Sequence, residues 1–241
     1  MISDSIVADL HCHTLASSHA YSTVTEVASA AAARGLLAVA CTDHGIGTQD
    51  SPHIWHFTNL DILPPVISGV RVLHGVEANV MDYTGRVDMP QKVMAKLDIV
   101  VASMHGVAMP GGSVEEITSA WLGVAENPDV DIIGHCGAPL YAFDYEEVIP
   151  AFGRCGKVVE INEGSFKTRP GSAENCRRIA ELCKQHRVRV TLDSDAHFHG
   201  AVGLVSQGLA LLREVDFPPE LVVNGSRENF LAFLKEKNIP F

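Results

Sequence analysis

The sequence predicts an α/β protein built as a β/α barrel, on three observations. Short apolar segments alternate with helix-like segments from one end of the chain to the other, seven such units can be counted, and metal-ligating side chains recur where the apolar segments end. Alternation of this kind places a parallel sheet inside a shell of helices. An open doubly wound sheet produces the same alternation, so the rhythm alone leaves both architectures standing.

The strand segments are 6–11, 37–42, 71–78, 97–103, 130–134, 157–162 and 188–193. Each is rich in Val, Ile, Leu or Ala without a polar alternate face, as expected of parallel strands covered on both sides. Between them, Ser22 to Arg34 is Ala-rich, with Ser22 and Thr23 as N-cap candidates and Gly35 as the stop. Residues 113–125 open with Ser-Val-Glu-Glu, close to a capping box. Residues 171–186 and 226–237 are also helix-periodic, the latter opening at Ser226 and Glu228. Pro64-Pro65 and Pro218-Pro219 mark turns rather than boundaries, and no repeat or linker interrupts the pattern. Residues 1–241 are therefore expected to form one domain.

Composition narrows the class. Hydrophobic residues make up 46% and charged residues 20% of the 241 residues, the balance of a globular domain. No apolar run approaches the roughly 18 to 20 residues of a membrane helix. The opening MISDSIVADL lacks the basic and apolar regions of a secretory signal, so a cytoplasmic location is expected. A formal net charge of −11 argues against nucleic acid as a partner. It leaves room for a small anionic substrate where bound cations supply the positive charge. The six cysteines form no Cys-x-x-Cys pair, which disfavours a thiolate zinc site. Cys12 and Cys136 each adjoin a histidine and should face away from it. The apolar content permits a homo-oligomer without specifying one.

Twelve histidines are present, and their positions carry the argument. His11 and His13 close the first strand two residues apart, a spacing that turns both imidazoles to one face. His19 follows in the loop, and His44 ends the second strand. Glu77 ends the third, His105 the fourth and His135 the fifth, while Asp195 and His197 end the seventh, again two apart. In a parallel barrel these ends meet at one mouth. Nine imidazole and carboxylate donors exceed the four to six that one zinc, iron or manganese ion takes, which implies a cluster. A lone strand-end histidine is more often a hydrogen-bonded loop residue, but that reading has to hold at every strand end at once. The remaining histidines are read more plainly. His53 and His56 either line the pocket or pack with Trp55 and Phe57, His74 and His186 are structural, and His199 is open. Asp9, Asp43 and Asp193 adjoin ligand positions and could orient imidazoles, or serve turns and caps.

These segments resemble the PHP family, named for polymerase and histidinol phosphatase, and most closely its small single-domain metal-dependent phosphatases. The residues that carry the resemblance are Asp-Leu-His-Cys-His-Thr (9–14), Ser18 to Ser22, Thr42 to Gly45, Pro52 to Phe57, Gly75 to Asn79, His105, Gly134-His135, Glu160 to Asn162 and Ser194 to His197. The resemblance implies a distorted seven-stranded barrel and a site of three divalent ions, commonly zinc, with manganese or iron as alternatives. It carries over His11, His13, His19, His44, Glu77, His105, His135, Asp195 and His197 as ligands, with Glu77 bridging. Glu77, His44 and Asp195 are the residues expected to be catalytic. PHP domains of DNA polymerases sit in much longer chains, and no polymerase segment is present here.

Such a cluster suits hydrolysis of a phosphate monoester by a metal-activated hydroxide, without a covalent enzyme intermediate. Lys167 and Arg169 follow the sixth strand and could contact the phosphate of a small phosphorylated substrate, or could belong to a solvated loop. Histidinol phosphate is one candidate substrate. An amidohydrolase-like C–N hydrolase also begins with His-x-His, but bridges its metals with a modified lysine where this chain has Glu77. Metal storage or sensing would need no turnover, and no output segment supports it.

Overall fold

A computed structural model describes residues 2–241. Seven strands run parallel in the order of the chain: β1 (Ala8–Cys12), β2 (Ala38–Cys41), β4 (Val70–Asn79), β5 (Ile99–Ser103), β6 (Ile132–Ile133), β7 (Val158–Asn162) and β8 (Val190–Asp193). The short β3 (Val66–Ile67) is an antiparallel hairpin partner of β4. It is turned by Ser68 and Gly69, both at positive φ (54° and 81°), as a two-residue hairpin turn requires.

Closure separates the barrel from the open sheet. At the upper end β1 meets the residues after β8 directly: Asp195 N donates to His11 O (3.0 Å) and His13 N to Ala196 O (2.9 Å). At the lower end the segment 222–224 wedges between the two strands. Asn224 substitutes for a ladder there, its amide donating to Ala8 O (2.8 Å) and Leu192 O (2.7 Å) while accepting from Leu192 N (3.1 Å). Asp193 and Asp9 stitch the same seam, accepting from Leu10 N (2.7 Å) and from Ser194 N and Gly203 N (3.1 and 2.7 Å). The result is a nearly closed barrel of seven parallel strands. These two aspartates thus hold the seam rather than any imidazole.

Helices α1 (Val24–Ala33), α4 (Val114–Glu126), α7 (Ser172–His186) and α9 (Arg227–Glu236) fall where periodicity places them. Thr23 with Glu26, and Ser113 with Glu116, form full capping boxes. Neither α5 (Tyr145–Arg154) nor α8 (Ser206–Glu214) is among the helices expected from periodicity. Pro150 lies inside α5 and removes a backbone donor, which hides the helix from local rules. Its start is secured by Asp144, which accepts from Glu147 N. Three short helices, α2 (Ile54–Thr58), α3 (Gln91–Met94) and α6 (Glu163–Thr168), sit in the connections.

The inner core is small and apolar: Leu10, Ala40, Leu73, Ile99, Val101, Ile132 and Val158, closed from below by Phe230, Phe233 and Leu234 of α9. Outward positions such as Cys12, Val39, Val76, Cys136 and Ile161 pack under the helices. With the lower end plugged, polar chemistry is confined to the upper mouth.

Candidate metal centre

The site is built on strand ends. A register shift between Asp9 and Cys12 breaks strict alternation in β1. Leu10 and Cys12 consequently pack in different cores, while His11 and His13 are both fully buried at the mouth. Glu77, near the end of β4, is 1% exposed and lies at the centre. Its Oε1 lies 3.3 Å from His11 Nε2, 3.4 Å from His105 Nε2 and 2.9 Å from His135 Nε2. Its Oε2 lies 2.8 Å from His44 Nδ1 and 3.6 Å from His13 Nε2. Asp195 faces the same space from the seam, with Oδ1 3.2 Å from His13 Nε2 and 3.6 Å from His197 Nδ1.

Two of these residues are held in unfavourable backbone conformations. His135 and Asp195 have φ of 27° and 55°, a region that costs a non-glycine residue on the order of 1–3 kcal/mol. Hydrogen bonds from their own backbone N–H groups, to Glu160 Oε2 (2.6 Å) and to His11 O (3.0 Å), hold them there.

The electrostatics follow from burial and proximity. Burial opposes ionisation of Glu77 and Asp195, but the surrounding imidazoles outweigh it and hold both carboxyls well below their usual range. Burial pushes His13 down to about 3, and burial with the charge of Arg169 does the same to His135. His11 goes the other way: burial is overcome by Glu160, Glu77 and Asp195, and its pKa rises.

The donor set fits divalent cations. His11 Nε2, both ring nitrogens of His13, His44 Nε2, His197 Nε2 and Glu77 Oε2 are buried without a hydrogen bond of good geometry. Unpartnered buried polar atoms are costly and rare, and here they converge. Four groups could each hold an ion: His13 with His44 and His197, His11 with His13 and Asp195, His44 with Glu77 and His105, and His19 with His44 and Asp50. Imidazole with carboxylate suits zinc, manganese or iron.

The PHP domain family matches residues 9–208. The chain belongs to the PHP family. A protein of Acetivibrio thermocellus named as a probable phosphatase is 46% identical over 231 residues, 96% of each chain. One from Clostridium novyi, also named as a probable phosphatase, is 44% identical over 96% of this chain and 95% of its own. Among solved structures, histidinol phosphate phosphatase from Lactococcus lactis, complexed with zinc, L-histidinol and phosphate, superposes with a TM-score of 0.62. It is 16% identical over 88% of this chain and 94% of its own, a likeness of fold.

In this PHP chain the structure brings His11, His13, His44, Glu77, His105, His135, Asp195 and His197 together at one mouth. His19 joins at the rim, its side chain 54% exposed and its ring centroid 4.4 Å from that of His197. The stretch holding Lys167 and Arg169 is not a loop but α6 and its C-cap, because Asn162 Oδ1 accepts from Ser165 N (2.7 Å) and starts a helix. Arg169 reaches the site, 3.5 Å from Asp195 Oδ2, whereas Lys167 is exposed and forms no ion pair among the described residues.

Among the described residues Asp43 hydrogen-bonds none of the imidazoles at the mouth. It accepts from Thr14 N and Oγ1 (2.8 and 2.7 Å) and Ser17 Oγ (2.8 Å), tying down the loop after β1, and it pairs with His56. His53 accepts from Trp55 N as the N-cap of α2, and His199 bonds Ser22. Three residues not singled out in the sequence hold imidazoles of the site. Glu160 Oε1 lies 2.7 Å from His11 Nδ1, Asn79 Oδ1 lies 2.7 Å from His105 Nδ1, and Asp50 Oδ2 lies 2.7 Å from His19 Nδ1. Glu160 was open to detection, since it precedes a strand end by the same two-residue spacing as His11 and His13. Asp50, in a long loop, carries no such signal.

Proposed function

We propose that the protein is a metal-dependent phosphatase of small phosphate monoesters, acting at a cluster of three divalent ions, with zinc as the first candidate and manganese or iron as alternatives. The observation that carries this reading is Glu77: both of its carboxylate oxygens are faced by imidazoles arriving from separate strands. A carboxylate in that position suits a bridge between ions. His11, His13, His19, His44, Glu77, His105, His135, Asp195 and His197 are the proposed ligands, in one domain spanning the chain. Glu77, His44 and Asp195 are assigned to catalysis. The names of the relatives as probable phosphatases support the reaction class.

When bound, divalent ions supply neutralisation of phosphoryl oxygens and acidification of the attacking water. The chain's own residues do the rest. Arg169 is aimed at the mouth by Ser165, to whose Oγ its guanidinium donates (3.0 Å), and is positioned to hold a phosphate oxygen. Lys167, on the outer side of α6, adds positive charge at the approach. Neutral His13 and His135 keep their lone pairs available as donors. The buried apolar core below closes the site from beneath. The charge of −11 disfavours nucleic acid as a partner, and no helix among the described residues is long and apolar enough to cross a membrane.

The test pairs metal analysis of the purified protein with hydrolysis of p-nitrophenyl phosphate before and after chelation. Two to three ions per chain, activity lost on chelation and activity restored by metal are the expected results. Bound metal with no turnover of any phosphate ester would refute the reaction, and absence of metal-binding capacity would refute the site.

A further inference from the structure

Asp88 lies outside the ligand set, on the return strand of a hairpin whose first arm ends β4. Val80 and Val87 bridge antiparallel, and Asp88 N donates to Asn79 O (3.0 Å). Its carboxylate makes no ion pair among the described residues. It accepts instead from Asn79 N (3.0 Å), Asn79 Nδ2 (2.7 Å) and Gly47 N (2.6 Å). It is also tightly enclosed. A Cβ on Gly45 would stand 2.4 Å from Asp88 Oδ1, and one on Gly47 2.9 Å from Oδ2, so both loop positions need glycine for this approach.

The consequence falls on Asn79, which is fully buried. Its Nδ2 faces Asp88 Oδ2 and Gly45 O, at 2.7 and 3.3 Å. Both are acceptors and nothing else, so the amino group has to point at them. That leaves the amide oxygen facing His105 Nδ1 at 2.7 Å. An acceptor there places the ring proton on Nδ1 and leaves the Nε2 lone pair free. Nε2 is the nitrogen that faces Glu77 (3.4 Å) and His135 (3.2 Å).

We propose that Asp88 is a positioning residue that fixes the tautomer of His105 through Asn79, and at the same time clamps the Gly45–Gly47 loop that follows His44. One carboxylate outside the centre thereby serves two imidazoles of the group formed by His44, Glu77 and His105. The inference rests on the metal-dependent reading above. Without the carboxylate only the longer contact to Gly45 O (3.3 Å) still opposes rotation of the Asn79 amide, which can then present its amino group to His105 Nδ1 and move the ring proton to Nε2. Partners that orient ligand imidazoles are worth roughly 10- to 100-fold in metal affinity.

The first measurement is made on the metal-free wild-type chain. Proton–nitrogen correlation spectra of ring-labelled protein, with the His105 signal assigned by its loss in His105→Gln, should show the Nδ1-protonated form. Finding the proton on Nε2 overturns the proposal, whatever any variant does. The second is zinc retention against a chelator. Asp88→Asn should hold one ion roughly 10- to 100-fold more weakly. Asn79→Asp alone should do likewise, because it sets two carboxylates against each other. The double variant Asp88→Asn/Asn79→Asp reverses the amide–carboxylate pair, keeps an acceptor on His105 without the carboxylate repulsion and should recover part of the loss. Wild-type zinc retention in Asp88→Asn, or a double variant no better than either single, also overturns it. If the wild-type chain takes up no zinc, manganese or iron, the phosphatase reading falls, while the tautomer measurement still decides the relay.

Discussion

Glu160→Gln is the most informative single change, because it removes one charge and almost no volume. Glu160 is 1% exposed and serves two donors at once: Oε1 lies 2.7 Å from His11 Nδ1, and Oε2 accepts from His135 N at 2.6 Å. A glutamine keeps one acceptor oxygen. Whichever donor that oxygen keeps, the other meets an amino group and loses its partner. An unsatisfied buried donor costs about 1–3 kcal/mol. If the oxygen stays on His135, the strained φ of 27° there survives, but the amino group beside His11 drives the ring proton to Nε2. That nitrogen is the one facing Glu77 at 3.3 Å and Asp195 at 3.8 Å. If the oxygen turns to His11, the backbone of His135 loses its restraint. Either way one ligand is misplaced, and zinc affinity should fall roughly 10- to 100-fold. The assay is a competitive zinc titration with a chromophoric chelator, alongside denaturant unfolding of the metal-free protein. The expected stability loss is about 1–3 kcal/mol. Unchanged zinc affinity together with unchanged unfolding would refute the reasoning, since both donors would then be indifferent to the carboxylate.

Two further changes probe different parts of the site. Arg169→Ala should lower kcat/KM for a phosphate monoester by roughly 10- to 100-fold, the size of a lost charge-assisted contact of about 1.5–3 kcal/mol. Lys167→Ala, at an exposed position, should change it by less than about threefold because solvent screens the charge; equal effects at the two sites would remove Arg169 from the phosphate. Asp193 tests the seam through pH. Burial, with the nearby charges of Glu160 and Asp9, raises its pKa well above the usual carboxylate value. The folded chain therefore keeps a proton that the unfolded chain releases. Stability from this group is present below the unfolded value near pH ~4 and is lost as pH rises through the folded value. Asp193→Asn cannot ionise, so its stability relative to wild type should improve from pH ~4 to pH ~8 in paired denaturant melts. A difference that stays flat or runs the other way would show that Asp193 is ionised in the fold.

The sequence by itself determined the class of the fold and which imidazoles and carboxylates stand at the strand ends. Parallel strands buried on both faces read as apolar runs, and a polar donor that ends such a run declares its strand end without tertiary information. His11, His13, His44, Glu77, His105, His135 and Asp195 are all of this kind. A two-residue spacing on a strand then implies a shared face. What local rules could not decide was whether the sheet closes, because an open sheet and a barrel share one alternation. Closure rests on contacts between residues far apart in the chain, such as Asn224 with Ala8 and Asp193 with Leu10, which have no local signature. The same holds for the residues that aim the imidazoles. Glu160, Asn79 with Asp88, and Asp50 each act on an imidazole from another element, and their value exists only once folding sets those rings within 2.7 Å. Helix α5 stayed hidden because a proline breaks the local pattern while packing against neighbouring elements sustains the helix. Which side chains gather at the mouth is written in side-chain type and strand periodicity; how their rings are oriented is decided by hydrogen bonds across the barrel, which only the tertiary structure makes.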